Sequence, residues 1–99
     1  MKRIWSTVSP RAWQEKAFNG NAEFFAAMVT FAENKNPADA IGETPLHYAA
    51  MSGHLDVCRL LLENCGDQKN PVSNLGRTPL DHASRNGHSA IVELIKRYL

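Results

Sequence analysis

The sequence predicts an all-α solenoid, built from helix-turn-helix units stacked side by side. Three observations predict it. The unit Gly42-Glu43-Thr44-Pro45-Leu46-His47-Tyr48-Ala49-Ala50 returns 34 positions later as Gly76-Arg77-Thr78-Pro79-Leu80-Asp81-His82-Ala83-Ser84. The register continues from Gly53-His54-Leu55-Asp56-Val57-Cys58 to Gly87-His88-Ser89-Ala90-Ile91-Val92. It also runs backwards, from Gly53 to Gly20 and from Asn70-Pro71 to Asn36-Pro37. Finally, Leu55, Val57, Cys58, Leu60, Leu61 and Leu62 form an apolar face too wide for one helix pair to bury, so stacking on neighbours is obligatory.

The first copy is degenerate. Ser9-Pro10 offers an N-cap and a first-turn proline, and Trp13 takes the place of Leu46 as a core anchor. A second helix follows with Phe24, Phe25, Met28, Val29 and Phe31. In the middle copy Thr44 caps and Pro45 opens a short helix, where the missing proline N–H has no intrahelical partner to lose. Leu46, Ala49 and Ala50 share one side, two of them small enough for close helix approach, and Gly53 ends the helix at positive φ. The second helix of this copy runs to Gly66, followed by a loop of turn-forming residues from Asp67 to Arg77. In the last copy Ile91, Val92, Leu94 and Ile95 keep the apolar pattern. Lys96 stands at the register of Leu62, as a polar terminal face requires.

The Thr-Pro-Leu-His-x-Ala signature at a period near 33 resembles the ankyrin repeat, and the resemblance covers roughly residues 9–99. It implies a single domain of three repeats: a degenerate capping repeat at 9–38, a second at 39–72 and a third at 73–99. It also implies that the loops project as hairpins, with the one extra residue of the longer spacing falling between Leu62 and Asn70, outside the helices. Asn36 and Asn70 resemble the asparagine that is hydroxylated in some ankyrin hairpins. Here, however, Lys35 and Lys69 precede them, where the family usually has an aliphatic residue.

Composition narrows the partners. The 99 residues hold 11 basic and 10 acidic side chains, a net charge of +1, without a basic run suited to nucleic acid or an anionic membrane. No window approaches the ~18 apolar residues of a membrane span. Met1-Lys2-Arg3-Ile4-Trp5 leads into polar residues instead of a signal-peptide core. Cys58 and Cys65 lie seven apart on one predicted helix, about 10 Å along its axis and beyond disulfide reach. A cytoplasmic or nuclear monomer with reduced thiols is expected.

Catalytic chemistry finds little support. His54 and Cys58 are spaced i, i+4, close enough for a thiol and its base, but Cys58 falls at an apolar core position, where burial raises a thiol pKa. His54, Cys58, Cys65 and His88 have no metal-site spacing. Gly42, Gly53, Gly76 and Gly87 are isolated turn glycines, not a phosphate loop. His47 is expected to serve the helix-start network, as in the family, and His82 replaces Tyr48. No enzyme activity, cofactor or metal is predicted.

The resemblance instead implies a protein-binding module that uses a concave face of hairpin tips and first-helix edges. Carried over position by position, that face comprises Phe18-Asn19, Met51-Ser52 and Arg85-Asn86 at the ends of the first helices. At the turns it takes Ala40, Ile41 and Glu43, then Asn74, Leu75 and Arg77. These positions are expected to be free of structural duty. Apolar Phe18, Ile41, Met51 and Leu75 flanked by Arg77 and Arg85 have the composition of an interface, where aromatic, Met and Arg residues concentrate. The alternative is a structural or targeting segment of a larger enzyme or receptor without binding of its own, which an exposed, adhesive face on the last helix would favour.

Overall fold

The computed structural model describes residues 10–31, 38–64 and 70–99. Among them are six helices and no strand: α1 (Pro10–Phe18), α2 (Ala22–Phe31), α3 (Pro45–Ser52), α4 (Leu55–Asn64), α5 (Pro79–Arg85) and α6 (Ser89–Tyr98). They follow one another as three helix-turn-helix pairs. First helices pack on first helices, α1 on α3 and α3 on α5. Second helices pack on second helices, α2 on α4 and α4 on α6.

Local chemistry sets each start. Thr44 is extended, at φ −102° and ψ 167°, and its side chain accepts the His47 N–H, while His47 Nδ1 accepts the Thr44 N–H at 3.0 Å. Thr78 repeats the arrangement at φ −114°, with Asp81 Oδ2 accepting the Thr78 N–H at 3.0 Å. These reciprocal bonds satisfy helix-start N–H groups that have no intrahelical acceptor. In the first pair α1 begins at Pro10, and the expected cap Ser9 lies outside the described residues. Asn21 Oδ1 accepts the Phe24 N–H at 3.0 Å and so caps α2, a duty its sequence position does not announce.

The described parts of the loops between repeats hold tight turns. Residues 39–43 close through Asp39 N–H to the Glu43 carbonyl at 2.9 Å, and residues 73–77 through Ser73 N–H to the Arg77 carbonyl at 2.8 Å. Asp39 Oδ1 accepts the Ile41 and Glu43 N–H groups, and Ser73 Oγ those of Leu75 and Arg77. Side chains therefore satisfy donors that a strand ladder would otherwise take. Helices α2, α4 and α6 each comprise ten described residues; residues 65–69, within the stretch from Leu62 to Asn70 expected to hold the extra residue of the longer spacing, lie outside the described residues. Gly66, Cys65 and Asn36 lie outside the described residues.

The core is continuous through the stack. Trp13, Ala17 and Phe25 join Leu46, Ala49, Ala50, Val57, Cys58, Leu61 and Leu62, then Ala83, Ile91, Leu94 and Ile95. Trp13 is 2% exposed. It meets Phe24 and Phe25 edge-on at 5.5 and 5.8 Å, the favoured aromatic geometry. Buried alanines at 17, 49, 50 and 83 allow the first helices to approach closely. In α6 the residues Ile91, Leu94 and Ile95 turn inward, Val92 and Tyr98 are half-buried, Lys96 and Arg97 face out, and Leu99 beyond the helix is 67% exposed.

Gly20 and Gly53, at the ends of α1 and α3, have φ of +73° and +84°, and each lies against the imidazole of the next repeat. A Cβ on Gly53 would come within 2.7 Å of His88. Gly87, at φ +74°, has nothing within 4 Å. Gly87→Ala should therefore cost only the left-handed backbone penalty, about 1 to 2 kcal/mol, and Gly53→Ala clearly more, because His88 must also move. Urea midpoints of the two variants measure the difference, and equal losses would show that His88 does not seat on Gly53.

Candidate protein-binding surface

Two rows of expected interface residues are set by different elements. The first row lies at the C-terminal ends of the first helices: Phe18 and Asn19, Met51 and Ser52, Arg85 and Asn86. Phe18 is 52% exposed, Asn19, Arg85 and Asn86 are exposed, and Met51 and Ser52 are half-buried. The second row lies on the turn tips: Ala40, Ile41, Asn74, Leu75 and Arg77 are all exposed, with Ile41 at 44% and Leu75 at 62%. Val72, 67% exposed, is a further exposed apolar residue of this segment that sequence reasoning did not single out.

The tips are brought together by Asn74. Its N–H donates to the Ile41 carbonyl at 2.9 Å and its Nδ2 to the Ala40 carbonyl at 3.3 Å. A Cβ on Gly42 would fall 2.9 Å from Asn74 N and Oδ1, so glycine is needed there for close approach as well as for its positive φ. Tyr48 connects this row to the helices, donating its hydroxyl proton to Asp39 Oδ2 at 3.0 Å. Burial, followed by this carboxylate, pushes the Tyr48 pKa up to about 12.

The helix-end row is held by histidines. His54 Nε2–H donates to the Phe18 carbonyl at 2.8 Å, and His88 Nε2–H to the Met51 carbonyl at 3.1 Å. Each ring thus reaches back one repeat to an otherwise unpaired helix-end carbonyl. The pair is visible in the sequence as the recurring Gly53-His54 and Gly87-His88, but sequence reasoning offers His54 only as a turn residue or a potential catalytic base. Cys58 is fully buried beneath it, and burial pushes its pKa up to about 12. That thiol is not a nucleophile at neutral pH.

Glu43 corrects the expected site. It is 3% exposed, with Oε1 accepting from His82 Nε2–H at 2.9 Å and its carbonyl accepting from Gln14 Nε2–H at 2.6 Å. Its side chain joins the second repeat to the third and its backbone joins the first to the second, so it serves the fold and is no contact residue. The expected structural freedom also fails in part elsewhere. Asn86 Nδ2 donates to the His82 carbonyl at 2.8 Å, the Arg77 carbonyl accepts from His47 Nε2–H at 2.9 Å, and Ser52 Oγ is buried. Asn70 is half-buried, and its Oδ1 accepts the Leu80 N–H at 3.3 Å.

His47, at the base of the surface, is held in one tautomer. Nδ1 accepts from Thr44 N–H, so Nε2 carries the proton given to Arg77. Its ring meets that of His82 edge-on at 5.7 Å. Burial lowers the His47 pKa below 6.5, against the opposing pull of the Arg77 carbonyl and of Glu43 and Asp39. Among the described residues no three His, Cys, Asp or Glu side chains converge as metal ligands, and no helix is long and apolar enough to cross a membrane.

Two outcomes follow from the buried groups. Because the folded pKa of His47 is lowered, the unfolded chain binds the proton first. Stability is therefore full above pH 6.5 and declines as the pH falls through the folded value. His47→Gln, which can still donate to Arg77, should flatten the decline in melting temperature on acidification; an unchanged slope would place the acid sensitivity elsewhere. Cys58 should resist iodoacetamide at neutral pH until denaturant is added; rapid labelling of Cys58 in the native chain, distinguished from Cys65 by peptide mapping, would contradict its burial.

Residues 14–98 match the family model described as ankyrin repeats (3 copies). Over 48 residues the chain is 40% identical to the human ankyrin repeat domain-containing protein 39, a match covering 48% of this chain and 26% of that protein. The chain thus aligns with about a quarter of that relative's length. The family match spans the helix pairs, the caps and the turns described above: the chain belongs to the ankyrin repeat family.

Proposed function

We propose that this chain is a non-enzymatic interaction module that binds a protein partner across the face made by its turn tips and first-helix ends. Ankyrin repeats are generally protein–protein interaction modules, and proteins of this family are typically non-enzymatic. The observation that carries the location is that Phe18, Ile41 and Leu75 expose large apolar side chains on backbone held from beneath by His54 and Asn74. Apolar groups on a rigid frame lose little conformational entropy when a partner covers them. The module acts as a monomer, in the cytoplasm or nucleus, where the Cys58 thiol stays reduced.

Affinity capture from a cell lysate tests the reading, comparing the native chain with a Met51→Glu, Leu75→Glu variant shown by circular dichroism to be folded. Proteins retained by the native chain and lost from the variant are the expected result. Identical captures with both would move the working surface elsewhere.

A further inference from the structure

The face of the stack that carries the exposed apolar residues also has an uneven distribution of charge. Its acids are engaged within the fold. Asp39 Oδ1 accepts the N–H groups of Ile41 and Glu43, at 3.1 and 2.9 Å, and Oδ2 accepts from the Tyr48 hydroxyl. Glu43 is buried against His82, and Asp81 Oδ2 accepts the Thr78 N–H. The cations are not so engaged. Arg77 on the turn and Arg85 at the end of α5 are exposed, and among the described residues neither takes part in an ion pair. The second helices differ, carrying both signs in the open, as with Asp56 and Arg59 on α4.

Geometry joins these cations to the apolar side chains. Tyr48 bridges the first turn to α3, and Met51 follows it by three positions on the same helical face. Arg85 occupies the register of Met51 one repeat later, on the helix that packs beside α3. Arg77 lies two positions beyond Leu75. The exposed acid in the register of Tyr48 is Glu15 on α1, at the opposite end of the row from both arginines. The surface is thus apolar through its middle and cationic at the third repeat.

We propose that the partner, given the interaction reading above, is a peptide segment that combines acidic with apolar side chains. Its apolar groups seat on Phe18, Ile41, Met51 and Leu75, and its carboxylates pair with Arg77 and Arg85. Guanidinium groups suit this role because they stay charged and take carboxylates in bidentate geometry. A purely apolar segment would leave both arginines without a counter-charge at the edge of the interface.

A displayed library of random short peptides, selected on the immobilised full chain, supplies the probe. Binding of the best-enriched peptide is then read by fluorescence anisotropy. Enrichment of Asp and Glu beside aliphatic or aromatic residues is expected, with about tenfold or greater weakening by Arg77→Glu, Arg85→Glu and weakening at high salt. Only the exposed side chains of these arginines change, and circular dichroism checks the fold. Peptides lost with Met51→Glu, Leu75→Glu but indifferent to the arginine changes would overturn the acidic-partner proposal and leave the surface standing. Peptides indifferent to both variants would overturn the surface itself. Failure to select any peptide would rule out a short linear segment as the ligand.

Discussion

Every repeat in this chain is fastened to its neighbour by side-chain donors aimed at backbone carbonyls, and the arrangement of all the rest depends on those bonds. At the helix starts Gln14 donates to the Glu43 carbonyl and His47 to the Arg77 carbonyl. At the helix ends His54 donates to Phe18 and His88 to Met51. Apolar packing is strong but nondirectional; α1, α3 and α5 could slide along one another at modest cost without these fixed points. A buried donor or acceptor left unpaired costs about 1 to 3 kcal/mol, so a slip that breaks several such bonds together is strongly disfavoured. The hydrogen bonds fix the register in which the alanines meet.

The residue two positions after each helix-start proline or its equivalent shows how the same constraint is met in three ways. His47 works with both nitrogens, one closing the cap with Thr44 and the other reaching Arg77. Gln14 holds the equivalent place one repeat earlier and makes the reach to the next repeat through its amide. Asp81 holds it one repeat later and closes the cap with Thr78, but a carboxylate only accepts and has no donor to offer the next repeat. Glu43 and His82 add a side-chain tie between the second and third repeats. Glu43 Oε2 is buried without a partner among the described residues, so this tie carries a desolvation penalty that surrounding packing must offset.

Much of the fold is legible because its signals are local. Thr44-Pro45 and Thr78-Pro79 mark helix starts, Gly53 marks an end, and the apolar residues of α4 are spaced as a buried face requires. The degenerate first repeat is also readable, since Trp13 preserves the core function of Leu46 by size alone. What escaped is long-range pairing. Glu43 looks like a surface acid because a charged residue before a helix start is normally solvated, and its partner His82 belongs to the following repeat. Nothing in the local pattern of either residue announces the other. The histidine ties at His54 and His88 lay in view as a repeat, but which carbonyl each ring reaches depends on how the helices stack.

The glycines reveal a polarity along the stack. Gly42 and Gly53 are covered by Asn74 and His88 of the following repeat, whereas the matching Gly76 and Gly87 look onto open space. The third repeat therefore retains unfilled sockets in the shape of an asparagine amide and an imidazole. A grafted fourth unit carrying those two groups in register would find its docking geometry already in place. It would lack the helix-start donor, because Asp81 stands where His47 provides one, and it would cover Lys96, which faces out at the register of buried Leu62. Growth of the array at that end is thus open at the turn tips and first-helix ends and opposed by charge on the last helix.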